Sequence, residues 1–259
     1  MRRSAGAMLV ASALCAAGVI ACKKPDPAAI HREKGDELFE KDQWAAAADE
    51  YALSLQADPK QDKLWEKKAV AHMKAGKPDL AAASLLKQVD NAATPKDRAE
   101  IYRKVGGIYL EQKKPDEAEK YFLEALKADP KDQDSLAWLG EISSTRGGAR
   151  AGSLVAVPAH LDKAIAYYDQ AIAVNPNNLM AYVNKRIALF KYMSYEQRLK
   201  DAAEQDVKAA RVDRAKIERA KAQAQQHEGR AADMKRQIDE LGTKITELQK
   251  EAASAKAKK

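Results

Sequence analysis

The sequence predicts an all-α protein: a superhelix of about four to five helical hairpins, followed by a long C-terminal helix or coiled coil. Three observations predict it. Ala, Leu, Lys, Glu and Gln abound, while aromatics make up 6 % and glycines number 12 among 259 residues, a mixture that favours helix over sheet. Three stretches share one spacing of small, aromatic and proline residues. The stretch from Tyr195 to Lys259 contains no proline and is broken only by Gly229 and Gly242.

The chain opens with Arg2 and Arg3, an apolar run from Ser4 to Ala21, and then Cys22. A cationic start, an apolar middle and small residues before a cut are the features of an export signal. Val19-Ile20-Ala21-Cys22 resembles the lipobox of bacterial lipoproteins. The resemblance implies removal of residues 1–21, acylation of Cys22, and a membrane tether on the protein that remains. The alternative is an uncleaved anchor, but the run is shorter than the roughly 20 residues of a spanning helix and is diluted by Ala, Gly6 and Gly18. Lys23 after the cysteine fits sorting to the outer membrane, facing the periplasm. Cys15 leaves with the leader, so no disulfide is expected.

Three segments align on Pro59, Pro130 and Pro176. Twelve residues before each stand Ala47, Ala118 and Ala164, and eight before stand Tyr51, Phe122 and Tyr168. Gly35 and Gly106 lie twenty-four residues before the first two prolines. Small residues let paired helices approach, and the aromatic fills the space between hairpins. Proline stops the second helix because it lacks an amide hydrogen and restricts its predecessor. Pro115 is placed to start a helix.

These residues resemble the tetratricopeptide repeat, a helix–turn–helix unit of about 34 residues. Segment 28–61 carries Gly35, Leu38, Ala47, Tyr51 and Pro59; segment 62–95 carries Trp65, Ala69, Ala81 and Leu85, with His72 where Tyr is common. Segment 99–132 matches at Tyr102, Gly106, Tyr109, Ala118, Phe122, Ala125 and Pro130. Segment 133–178 opens with Leu136, Leu139 and Gly140 and closes with Ala164, Tyr168, Ala171 and Pro176, with an insertion at 146–160. Segment 179–195 reads as a fifth first helix, with Arg186 where a small residue is usual. The organisation expected is a signal peptide at 1–21, a lipidated linker at 22–27, a solenoid at 28–195 and a long charged helix at 196–259.

In this family the first helix of each repeat lines a concave groove. The matching positions are Arg32, Asp36, Phe39 and Glu40, then Lys63, Glu66, Val70 and Met73. Glu100, Arg103, Gly107 and Leu110 follow, then Asp134, Ala137, Glu141 and Ser144. The protein-binding candidates among them are Arg32, Asp36, Phe39, Lys63, Glu66, Val70, Met73, Glu100, Arg103 and Leu110. Some family members clamp the carboxylate of chaperone peptides. Asp36 stands where that clamp wants Asn, so this ligand is not expected. On the last first helix, Met180, Val183, Ile187 and Phe190 form one apolar stripe. Cover by the following helix is expected there, a binding patch being the alternative. The insertion brings Leu154, Val155 and Val157, either as a contact site or tucked against the next hairpin.

In the C-terminal third, Glu196–Lys200, Glu204–Lys208 and Glu240–Lys244 are spaced as surface pairs one turn apart. Met234, Ile238, Leu241, Ile245 and Leu248 form a short heptad seam within 231–255. It serves either association between copies, the use favoured, or docking back on the repeats.

No catalytic constellation is readable. His31, His72, His160 and His227 show no metal-ligand spacing, and no phosphate loop follows a strand. No enzyme, cofactor or metal is expected. The net charge of +7 falls to about +5 without Arg2 and Arg3, and no nucleic-acid signature is present. The expectation is a membrane-anchored scaffold that holds an envelope protein or peptide segment, with pilotin lipoproteins of secretin assembly as a specific version. An oligomeric strut and an accessory of cell-wall synthesis or remodelling are the alternatives.

Overall fold

The computed structural model describes residues 26–148, 158–210 and 213–257. The lipobox Val19–Cys22, Lys23, and Leu154, Val155 and Val157 of the insertion lie outside them. The described residues form ten α-helices and no strand. In chain order these are α1 (Pro27–Glu40), α2 (Trp44–Ala57), α3 (Asp62–Lys74), α4 (Pro78–Leu86) and α5 (Pro95–Glu111). Then come α6 (Pro115–Ala128), α7 (Gln133–Gly147), α8 (Pro158–Val174), α9 (Leu179–Ala209) and α10 (Arg214–Ala257). They pair as five antiparallel hairpins, α1–α2 through α9–α10. This is a tetratricopeptide-type α–α superhelix with a long helix at its C-terminal end.

Local chemistry starts and stops the helices. Thr94 and Asp97 cap each other across the first turn of α5, the reciprocal box that satisfies two orphan amides. Within the first three hairpins the turn passes through a left-handed residue: Asp42 at φ 58°, Gly76 at 70° and Lys113 at 56°. Each turn closes with the same backbone bond, from Gln43 to Leu38, Lys77 to His72 and Lys114 to Tyr109, which ties off the helix's last carbonyls. Between hairpins the proline turns are built alike. The side chains of Asp58, Asp129 and Asn175 accept from the amides of Lys60, Lys131 and Asn177 at 3.0–3.1 Å. Such Asx turns hold the backbone while proline forbids a further helical turn.

Three of the first helices, α1, α5 and α7, approach their partners through a glycine. A methyl on Gly35 would lie 2.6 Å from the Tyr51 ring, and one on Gly106 2.8 Å from the Phe122 ring; Gly140 faces Tyr168 in the same way. Neighbouring hairpins then bury one another. Leu64 of α3 packs with Ala47, Tyr51 and Leu55, and Ile101 and Ile108 of α5 pack with Ala81, Ala82 and Leu85. The third residue of each of the first, second and third repeat segments, which begin at 28, 62 and 99, records this. Leu64 is 3 % exposed and Ile101 7 %, whereas Ile30, with no described hairpin before it, is 48 % exposed. No hairpin hides its apolar face alone, so stability is close to a sum of nearest-neighbour terms.

The last hairpin departs from the sequence expectation in three ways. First, α9 runs unbroken across 195–196, so the domain boundary expected there falls inside one helix. Second, α10 returns antiparallel along α9, and Ala220, Ala224, Ala231, Ile238, Ile245 and Leu248 are buried. The favoured use of 231–255, association between copies, is corrected: α9 of the same chain covers that seam. Third, Arg186 is accommodated without the tight glycine contact of the other repeats. Its guanidinium lies in ordinary contact with Gly242 of α10, about 3.5 Å from where a methyl there would stand. The surface pair expected between Glu196 and Lys200 is also replaced. Glu196 is buried against His227 and Arg230, and Lys200 pairs with Glu204 and Glu228.

Candidate functional site: the concave wall

The first helices α1, α3, α5, α7 and α9 present equivalent positions along one wall. Ion pairs stitch neighbours together there. Lys67 of α3 holds Asp36 of α1 at 2.8 Å, and Tyr51 donates to the same carboxylate at 2.7 Å. Burial first, then the Asp36 hydrogen bond, raises the Tyr51 pKa, so this hydroxyl stays a donor. Lys104 of α5 reaches Glu66 of α3 at 2.7 Å and Glu100 at 2.9 Å. Burial pulls Lys104 down, but the two carboxylates outweigh it and hold its pKa above the ordinary lysine value. The Lys104 hydrogen bond lowers Glu100 in return. Arg103 bridges Asp132 at 3.4 Å and Asp134 at 3.0 Å.

Between α3 and α5 the wall opens into a cleft of ≈560 Å³. Ala69, Val70 and Met73 form one side, Gly107 and Ile108 the other, and Leu85 of α4 the floor. Charged residues Glu66, Lys74, Lys104 and Glu111 stand at the rim. A methyl on Gly107 would meet nothing within 4 Å, so this glycine, unlike Gly106, serves no close packing and widens the cleft. An apolar floor with a few polar groups around it is the usual build of a recognition groove.

The wall position just after each close-packing small residue varies in polarity with the second-helix core residue of the same repeat. Asp36 shares a repeat with Tyr51 and Glu141 with Tyr168, while Val70 shares one with Leu85 and Gly107 with Phe122. Where the core residue has a hydroxyl, the wall carries an acid; where it has none, the wall is apolar. The cleft therefore falls on the second and third repeats.

Of the ten candidates, Glu66, Val70 and Met73 line the cleft. Arg103 and Glu100 are tied into the ion pairs, as is Asp36. Arg32 bonds Gln61 at 3.3 Å, Phe39 packs edge-on against Trp44, and Lys63 is exposed. Leu110 packs beside Ala118, Phe122 and Leu139, so it belongs to the core as much as to the wall. Lys74, Lys104, Ile108 and Glu111 were absent from the sequence candidates. The family spacing marks positions one helix at a time, and these four join only once α3 and α5 lie side by side.

One expectation fails here. The stripe on α9 is not covered by α10: Met180 is 62 % exposed, Ile187 47 % and Phe190 43 %. The seam of α10 takes the opposite side of α9, so the concave side stays open. Among the described residues no group of three or more His, Cys, Asp and Glu is arranged to hold a metal ion, and no described helix is long and apolar enough to cross a membrane.

Comparisons with known proteins agree with a tetratricopeptide-type fold. Family models described as tetratricopeptide repeat match residues 66–133 and 159–178. No curated protein matches the chain. A TPR repeats protein from Bacteroides fragilis NCTC 9343 is similar in structure, with TM-score 0.58 and 14 % identity, over 86 % of this chain and 98 % of that one. MamA is similar at TM-score 0.48 and 19 % identity, over 86 % of this chain and 95 % of that one. YrrB, described as a TPR protein with an unusual peptide-binding site, is similar at TM-score 0.43 and 13 % identity, over 82 % and 94 %. The matched segments show that the chain carries tetratricopeptide repeats, and the likeness at TM-score 0.58 agrees with that fold.

Proposed function

We propose that this protein is a lipid-anchored, non-enzymatic scaffold of the bacterial envelope, which grips a segment of another envelope protein in its concave groove. The observation that carries the reading is the open apolar cleft between α3 and α5, rimmed by charges on a wall stiffened by ion pairs. Such a cleft receives apolar side chains of a partner segment while the rim fixes its register. The anchor rests on sequence: Val19-Ile20-Ala21-Cys22 after a cationic and apolar leader. Acyl chains on Cys22 would hold the protein stably where two or more are present. Lys23 supports the outer membrane, periplasm-facing, as the location. Delivery of a secretin, as pilotins perform, is the narrower form of this reading.

A photo-crosslinking side chain at Val70 tests the groove in cells. It is expected to trap one defined partner, and Met73→Glu is expected to abolish the adduct without loss of helicity. The same adduct from Leu123, an exposed residue of α6, or an adduct indifferent to Met73→Glu, would sink the groove. Palmitate labelling of wild type and Cys22→Ala tests the anchor independently, and equal labelling would remove it.

A further inference from the structure

We infer that the α7–α9 part of the concave wall is a second docking site, whose occupant is an amphipathic helix of a partner protein bearing lysine or arginine along one edge. This rests on reading the concave side as the binding side, but it concerns residues outside the α3–α5 cleft. Met180, Ile187 and Phe190 lie on one side of α9, at the spacing by which helices recognise helices. Lys191 donates to the backbone carbonyl of Ser144 at 3.1 Å and to its hydroxyl at 2.9 Å, which pins this stretch of α9 along α7. On α7 the equivalent wall positions are Asp134, Ala137 and Glu141. The apolar row of α9 thus runs beside an acidic row.

A comparison within the molecule shows what is missing. In the first repeat, the wall acid Asp36 receives the Tyr51 hydroxyl and, from the next first helix, the ammonium of Lys67. In the fourth repeat, Glu141 and Tyr168 take the same two places, and the place of Lys67 on the next first helix is held by Asn184. Among the described residues no cation lies within ion-pair distance of Glu141, whereas Asp134 has Arg103. The Tyr168 hydroxyl is buried beside Glu141, and burial first, then that carboxylate, raises its pKa, as Asp36 does for Tyr51. The first repeat is a complete acid–tyrosine–cation set, and the fourth lacks its cation. A partner helix laid on Met180, Ile187 and Phe190 brings its basic edge to Glu141 and completes the set.

The probe is a synthetic 18-residue Leu/Lys amphipathic helix, with a Leu/Glu twin as its control, measured by fluorescence anisotropy on the purified protein. The Lys-edged peptide is expected to bind at least tenfold more tightly than its twin. Ile187→Ser and Phe190→Ser should each weaken it about tenfold, and Glu141→Lys should reverse the preference. Asn184→Lys, which supplies the cation from within, should weaken it about fivefold. These positions are exposed or half-buried, so helicity is expected to persist. Equal binding of both peptides, or loss on Val70→Glu with Ile187→Ser silent, would overturn the inference. So would binding that appears only after residues 149–157 are deleted, since the stripe would then belong to that segment. The Val70 crosslink can fail while this preference stands, and the reverse, so the two readings fall separately.

Discussion

In α3 the imidazole of His72 is buried, with no hydrogen-bond partner for its Nδ1. Burial above all, then the nearby charges of Lys68 and Lys77, lowers its pKa; Asp49 opposes them. The unfolded chain therefore binds a proton there more readily than the folded chain does. By linkage, the stability this neutral ring contributes is complete above the ordinary histidine pKa of about 6.5 and is lost as pH falls below it. Wild type should lose more thermal stability between pH 7.5 and 5.5 than His72→Leu. Parallel losses in differential scanning calorimetry would refute this. From the sequence, His72 stands where Tyr is common and reads as a packing residue of the second repeat. That it is a buried base came from the elements around it, which single-residue spacing does not contain.

Among the elements, the α9–α10 hairpin is held by unlike halves. Near the turn between α9 and α10 the seam buries Ala203, Ala220 and Ala224, and toward the end of α10 it buries Ile238, Ile245 and Leu248. Between them Glu196, 1 % exposed, is held by His227 at 2.6 Å and Arg230 at 3.5 Å. A run of alanines alone fixes register poorly, and one buried polar group in a uniform seam fixes it well. Removing one partner leaves a buried charge and destabilises, whereas an apolar replacement of the acid does not. His227→Ala should cost about 2 kcal/mol in urea unfolding, and Glu196→Leu should be neutral or stabilising. If both lose stability equally, the cluster is a source of stability and not of register. Heptad spacing made the seam legible. The Glu196 cluster was hidden because Lys200, one turn away, offered a plausible surface partner, and His227 lies thirty-one residues on.

For the whole molecule, nearest-neighbour burial means that damage is local at the end and shared in the middle. Gly35→Val and Gly106→Val drive methyl groups into Tyr51 and Phe122, at about 3 kcal/mol each by the cost of overpacking. Hydrogen exchange should show protection lost within 27–57 for the first variant. For the second, protection should fall across α3 to α8. A uniform loss in both would show one cooperative unit. The repeats were readable because Gly35, Tyr51 and Pro59 do their work inside one hairpin, at fixed separation. Gly242 against Arg186 was not, because the two are fifty-six residues apart and outside any repeat period. The α3–α5 cleft was half readable: Val70 and Met73 follow from the spacing, while its width depends on Gly107 facing empty space.

The stitches from Asp36 to Lys67, Glu66 to Lys104 and Arg103 to Asp134 all cross from one first helix to the next on the inside of the curve. Attraction between successive first helices acts as a set of tensioned springs that draw that side together. Dissolved ions slacken springs of this kind because the pairs are partly exposed. Raising the ionic strength is therefore expected to lengthen the superhelix in small-angle scattering while helicity holds, and an unchanged profile would refute this.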